Sequence, residues 1–363
     1  MMREIRTSIA TTVTLLLSLG VVMIYSSSGI YALQELGDST YFLKRHLIFL
    51  CLGVILTLMV MTMDYRELRK WAKPLLALAV VMLVLVLIPG IGKASYGARR
   101  WFQFGALNFQ PAEFAKLALL IYTADFLARR QNKITDFGKG FLPLIMVLGV
   151  VCVLIIKQPD FGTSVLMAMI VLVMMFIAGA KPQHMGLLML AAIPLMYLLI
   201  VRVPYRMARI MTFLNPWEDS RGVGFQLVQS QIALGSGGFW GLGLGKSVQK
   251  LFYLPAAHTD FILSIVGEEL GFLGASAVIV LFILLIFQGA RLAKRITDPF
   301  GYFLGIGIVT LIGLQAVINV GVSIGALPTK GLPLPFISYG GSALVFNLVA
   351  IGLLLNISRT QDL

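Results

Sequence analysis

Ten apolar runs follow one another along this 363-residue chain, near residues 10–30, 47–63, 74–90, 112–128, 141–157, 164–180, 185–201, 261–290, 302–325 and 341–357. A helix that crosses the hydrocarbon core of a bilayer needs about 20 such residues. The runs therefore predict an all-α fold, a polytopic membrane protein with about ten transmembrane helices. Composition agrees. Hydrophobic residues are 58% of the chain and charged ones 12%, about half the charged fraction of a soluble domain. The first run follows Arg3 and Arg6 but lacks an A-x-A cleavage pattern, and more spans come after it. It reads as a first helix and not as a removed signal peptide.

An even number of spans puts both termini on one side. With the N-terminus inside, the cytoplasmic segments hold 15 Lys and Arg and the short outer loops hold seven: Lys44, Arg45, Lys93, Arg99, Arg100, Lys157 and Lys330. The positive-inside rule then makes both termini cytoplasmic. The fourth outer loop, 202–260, is large and adds Arg202, Arg206, Arg209, Arg221, Lys246 and Lys250. Long loops translocate largely regardless of charge, so these cations call for another reason, and an anionic substrate supplies one. Within the loop, 204–214 has the spacing of an interfacial amphipathic helix, and 225–234 reads as a second short helix. The net charge of +13 is spread over loops between apolar runs. That favours an anionic membrane surface or lipid headgroup as partner and excludes nucleic acid.

Several motifs have a structural reading beside a chemical one. Gly245-Lys246-Ser247 ends like a phosphate-binding loop, but Trp240 stands where the first glycine of that pattern belongs. The glycine run 235–245 is better read as close backbone packing or a substrate lid. Cys51 and Cys152 lie inside apolar runs and suggest neither disulfide nor metal. Asp260 opens a span. It is either an N-cap with Thr259 or a carboxylate at the membrane–water boundary able to take a proton from a hydroxyl. Nearby His258 reads as an interface hydrogen-bonder. Glu113 and Lys116 share one face of a helix begun by Pro111, as a self-neutralising pair or as the lining of a polar cavity. Asp160 is N-cap or cavity acid. Glu268 and Glu269 lie two turns into a span, so at least one must face the bundle interior. Arg99-Arg100-Trp101 is an interfacial cluster or a diphosphate clamp. The Pro/Gly-rich segment 327–342 has to be buried or line a cavity if it enters the membrane.

Asn215-Pro-Trp, Gly224-Phe-Gln-Leu-Val-Gln-Ser-Gln-Ile-Ala-Leu-Gly-Ser-Gly-Gly, Tyr253-Leu-Pro, His258-Thr-Asp-Phe-Ile, Gly267-Glu-Glu-Leu-Gly and Leu332-Pro-Leu-Pro-Phe-Ile-Ser-Tyr-Gly-Gly, in this order, resemble the SEDS family (shape, elongation, division and sporulation). The resemblance covers nearly the whole chain, as a single membrane domain over 1–363 with 202–260 as a subregion. It is closer to the FtsW/SpoVE-like division and sporulation branch than to the RodA-like elongation branch. It implies a peptidoglycan glycosyltransferase of the cytoplasmic membrane that polymerises lipid II at the outer face. The partners it implies are the nascent glycan strand, a class B penicillin-binding protein (a transpeptidase) and other divisome or elongasome membrane proteins.

By motif match Asp260 takes the place of the family's essential acid, the catalytic base. Trp101, Glu113, Lys116 and Asp160 match functional positions, and Arg45 and Arg100 match outer-face cationic ones, so all six are expected at the substrate. Ala256 stands where the family often has Glu. The leaving diphosphate calls for positive charge, from arginines or from a divalent cation, Mg²⁺ or Mn²⁺. No organic cofactor is expected. A lipid II flippase and a scaffold recruiting a transpeptidase are the competing readings.

Overall fold

The computed structural model describes residues 2–95, 98–105, 107–220, 222, 224–251, 253–255 and 257–360. Arg221 and Ala256, both singled out above, lie outside the described residues. Each of the ten apolar runs becomes a helix: α1 Met2–Leu36, α2 Tyr41–Thr62, α3 Leu68–Leu85, α4 Pro111–Arg129, α5 Leu142–Lys157, α6 Phe161–Ile177 and α7 Pro182–Val201. After two short helices of the outer loop, α8 Pro204–Leu214 and α9 Phe225–Ser236, come α10 Ile262–Ala293, α11 Pro299–Ser323 and α12 Gly341–Thr360. Among the described residues, seven helices are long and apolar enough to cross a membrane by length and composition, α5 only when counted with the turn Phe137–Phe141 that precedes it. α6, with 17 residues, is shorter. α3 carries Arg69, Lys70 and Lys73, and α4 carries Glu113, Lys116 and Asp125.

Helix starts follow local chemistry. Proline opens α4, α7, α8 and α11, where its missing N–H costs nothing. The Asp298 carboxylate accepts from Gly301 N at the head of α11 (2.8 Å) and from the Tyr65 hydroxyl (3.2 Å).

The start of α1 and the end of α12 lie on one face. There Arg6, Met61 and Leu355 border one groove, Asn356 donates to the carbonyls of Val60 and Met63, and Asp125 accepts from Arg69 and Arg129 at 2.9 and 2.7 Å. The large loop and the site described below occupy the opposite face. α4 and α11 are almost wholly buried and form the centre of the bundle. α7 is at the other extreme: it has no buried residue, and α8 is its principal neighbour.

Two features depart from the sequence expectation, and a third decides between two expected readings. The second outer loop, in a chain expected to be all-α, holds an antiparallel meander of β1 Lys93–Ser95, β2 Ala98–Phe104 and β3 Leu107–Phe109. Its β2–β3 register pairs Phe104 with Leu107, and Gly105 after Phe104 has φ +57°. The strands are short and do not alternate cleanly, so the meander leaves little trace in the pattern.

Second, α10 is not one continuous span. Gly271 has φ +70° and ψ −167° and breaks it. Ile262 to Glu269 are buried in protein, whereas Phe272, Leu273, Val280, Ile283 and Phe287 are exposed on the apolar exterior.

Third, the glycine run is what mends that break. Leu242 and Gly243 N–H donate to the carbonyls of Glu268 and Glu269 (3.0 Å each). On the far side, Phe272 and Leu273 N–H donate to Gly238 and Phe239 (2.9 and 3.3 Å). Backbone comes this close only because side chains are absent. A Cβ on Gly241 would strike the Glu269 carbonyl, and one on Gly271 would strike Gly241 N. The run is therefore close backbone packing, the first of its two expected readings.

Candidate functional site

The strip 257–260 enters α10 without a side-chain cap. The N-cap position is Phe261, and Asp260 caps nothing. That removes the N-cap reading of Asp260. Its backbone is pinned instead: Asn319 Nδ2, on α11, donates to the carbonyls of Asp260 (2.9 Å) and Leu332 (2.8 Å). Tyr339 N–H donates to the His258 carbonyl (2.9 Å). The Pro/Gly-rich segment 327–340 thus lies against the strip. It is buried at Leu332, Leu334, Phe336 and Ile337, and its backbone runs over Gly20 of α1, where a Cβ would meet the Phe336 carbonyl. Broken backbone at depth is buried and lines a cavity, as expected.

Asp260 sits where two cavities meet. The first, about 480 Å³, is lined by Arg45, Arg100, Trp101, Glu113 and Asp160 together with Asp260, Tyr339 and Gly331. The second, about 440 Å³, shares Arg100, Asp160, Asp260 and Gly331. It adds the cations Arg206, Arg209 and Lys330 and the apolar Met196, Ile200 and Ile210. Residues scattered from position 45 to position 260 are thereby gathered around one carboxylate.

The individual placements are specific. Arg100, on β2, donates Nε to the Gln158 carbonyl (2.8 Å) and Nη2 to the Pro159 carbonyl (2.5 Å). It ties the meander to the head of α6. Asp160 is both things expected of it: its carboxylate accepts from Thr163 N (3.1 Å) and Thr163 Oγ1 (2.9 Å) as the N-cap of α6, and it faces both cavities. Arg45 Nη1 donates to the Tyr41 hydroxyl at 2.6 Å. Glu113 lines the first cavity, and Lys116, one turn deeper on α4, does not. The two form an ion pair of 2.7 Å, and both are buried. Lys116 therefore reaches the site only through Glu113. Below the pair, Leu117 to Ile121 of α4 are buried and apolar.

Electrostatics single out Asp260. Burial pushes its carboxyl up from 3.8 to about 6, Asp160 adds to the rise and Arg209 opposes it. Burial likewise lowers the Lys330 ammonium from its ordinary value. His258, expected as an interface hydrogen-bonder, instead packs its ring against Phe42 (4.5 Å), Tyr339 (5.8 Å) and Tyr31 (6.1 Å). It is held near 4 by burial and lies outside both cavities.

Of the six loop cations read as awaiting an anionic substrate, Arg206 and Arg209 line the second cavity. Lys250 is used elsewhere: its Nζ lies 2.7 Å from Glu269 Oε1 and 3.2 Å from Ser26 Oγ. Glu268 accepts from the Ser247 hydroxyl and from Val248 N. Both glutamates face the interior, and they lock the loop onto the broken helix. Sequence reasoning missed Asn319, although an Asn in an apolar span is itself a signal. It also missed Tyr339 as a wall of the site.

Among the described residues, no three His, Cys, Asp or Glu side chains converge as a metal cage. A Mg²⁺-type site built from one carboxylate, Asp160, and oxygens of a bound phosphate remains compatible with the residues present.

A family model described as cell cycle protein, FTSW_RODA_SPOVE, matches residues 6–363. Among curated proteins, the chain is 47% identical over 339 residues to the probable peptidoglycan glycosyltransferase FtsW of Geobacter metallireducens, covering 93% of this chain and 90% of that one. It is 45% identical over 345 residues to stage V sporulation protein E of Bacillus subtilis, covering 95% and 94%. Among solved structures, a chain from work on how a peptidoglycan synthase complex coordinates polymerization and crosslinking superposes with a TM-score of 0.80 at 31% identity, covering 97% of each. The rod shape determining protein RodA of Thermus thermophilus superposes with a TM-score of 0.73 at 29% identity, covering 98% and 97%.

Proposed function

This chain belongs to the FtsW/RodA/SpoVE family of cell cycle proteins and is a multi-pass membrane peptidoglycan glycosyltransferase, and from that premise we propose that it polymerises lipid II with Asp260 as the general base. One observation carries the assignment. A carboxylate that caps no helix, with its proton affinity raised to about 6, stands at the junction of a polar and a cationic cavity.

In the proposed reaction, the 4-hydroxyl of the acceptor sugar in the first cavity attacks the anomeric carbon of the donor. The hydroxyl proton passes to Asp260. The bond from that carbon to the diphosphate breaks, and undecaprenyl diphosphate leaves with the electron pair. Inversion turns an α-linked donor into a β-1,4 bond. A base with affinity near working pH suits such a transfer, a role worth roughly 10²–10⁴-fold. Arg206, Arg209 and Lys330 neutralise the leaving diphosphate, and the apolar Met196, Ile200 and Ile210 beside them receive the start of its lipid tail. Trp101, Arg45 and Glu113 hold the acceptor sugar, and Lys116 fixes Glu113. A divalent cation belongs to the proposal as charge neutralisation on the diphosphate, held by phosphate oxygens with Asp160 beside them. A transpeptidase of the class B penicillin-binding type is the proposed partner, in keeping with the synthase complex that the fold matches.

A flippase would need a polar route from one face to the other. The apolar stretch of α4 below Glu113 and Lys116 argues against one. The decisive test is strand formation from purified lipid II, with and without partner and Mg²⁺. Asp260→Asn should fold normally and make no glycan, and normal synthesis by that variant would sink the assignment.

A further inference from the structure

A third cavity, about 680 Å³, lies behind the catalytic strip. Its walls are Ser27 and Tyr31 of α1, Phe42 of α2, Gln226 of α9, and His258 and Thr259 of the strip. Thr259 borders both this cavity and the first one, so the two lie side by side along the strip. Asp260 and His258 are two residues apart, at most about 7 Å of chain. The strip is pinned, because Asn319 holds the Asp260 carbonyl and Tyr339 the His258 carbonyl. The base and this cavity thus keep a set distance.

The chemistry of its lining is distinctive. It holds rings, hydroxyls, a side-chain amide and the aliphatic Leu254, Pro255 and Ala257, and its one ammonium, Lys250, is spent on Glu269. On the other side of Asp260 the walls are cationic, with Arg206, Arg209 and Lys330. An uncharged cavity of aromatic faces with a few polar groups suits a neutral ligand that has both apolar C–H faces and hydroxyl or amide groups, as a sugar does. The size falls within the range of ligand-binding cavities, about 300–1,000 Å³.

We propose that this cavity binds the sugar units of the growing glycan strand adjacent to its reacting end. The inference rests on the polymerase reading above and gives it a direction. The donor's diphosphate lies on the cationic side of Asp260, and the strand behind its anomeric carbon runs past Thr259 to Tyr31, Phe42 and Gln226. Holding the strand there between additions makes the enzyme processive.

The test is the length distribution of strands made from lipid II by the full chain with its partner, for Gln226→Ala and Tyr31→Ala, beside the rate of the first coupling between two lipid II molecules. Losing one polar contact to a held strand should shorten the product about fivefold, and length should fall more than the rate of first coupling does. The two variants change different elements, α9 and α1, so a folding defect in one leaves the other as the measurement. Unchanged lengths in a folded variant, or a parallel fall of length and first coupling, would overturn the subsite. The underlying reading fails differently, by glycan synthesis in Asp260→Asn.

Discussion

If Asp260 is the base, the rate must follow its ionisation, and its neighbours must move that dependence in opposite directions. The folded carboxyl titrates near 6, against 3.8 for an unperturbed one. A base works only when ionised, so activity is present above the folded value and lost as pH falls through it. With an affinity of about 6, roughly ten in eleven molecules are ionised at pH 7 and one in eleven at pH 5. The initial rate at pH 5 should be about a tenth of that at pH 7. Burial is the main cause of the rise and Asp160 the next upward one, while Arg209 pulls the value down. Asp160→Asn removes a like charge and keeps an N-cap for α6, because Asn caps as well as Asp. Its acid limb should move to lower pH. Arg209→Gln removes an opposing charge and should move the limb to higher pH. Arg209 also lines the cationic cavity, so that variant is slower at every pH, and the position of the limb is the readout. The assay is kcat for lipid II polymerisation from pH 4.5 to 8. A flat profile down to pH 5, or a limb that shifts the same way in both variants, would refute the reasoning.

Three further outcomes follow from geometry. Glu113→Gln or Lys116→Met alone strands a buried charge, at about 3–5 kcal/mol, whereas the double variant should lose much less; thermal unfolding in detergent separates them. Gly241→Ala carries both a left-handed backbone, φ +84°, worth about 1–2 kcal/mol, and a clash with the Glu269 carbonyl. Gly245→Ala, at φ +79° in open space, carries the backbone cost alone, so Gly241→Ala should melt at a clearly lower temperature. Chelation by EDTA should suppress polymerisation, with recovery on adding Mg²⁺ or Mn²⁺; undiminished synthesis in EDTA removes the cation from the proposal.

The ten helices were legible because an apolar run is a local property, and lipid leaves it almost no choice but a helix. The cavity was legible only as a set of residues. Nothing in spacing shows that Arg45, Trp101, Glu113 and Asp160 converge, since they lie on different elements. Pattern left Asp260 open between cap and base, because the two readings differ by where α10 starts, a matter of one or two residues. Lys250 looked like an anion binder and proved to be the counter-ion of Glu269. That pairing depends on the loop folding back across the break at Gly271, a contact between segments about 20 residues apart with no signature in either. The β meander escaped for a different reason: strands of three to seven residues carry too few positions to show a period.

α7 has no buried residue, yet its Met196 and Ile200 help wall the cationic cavity. The helix that walls that side has no buried residue, so its outer face is left to the surrounding bilayer. A tailed substrate, as lipid II is in the proposed reaction, would then reach the site by lateral diffusion within the leaflet. The quantity that governs saturation is then the mole fraction of substrate in the membrane, not its amount per volume of solution. Diluting the same vesicles with buffer should leave the rate per enzyme unchanged, and diluting the substrate with inert lipid should lower it.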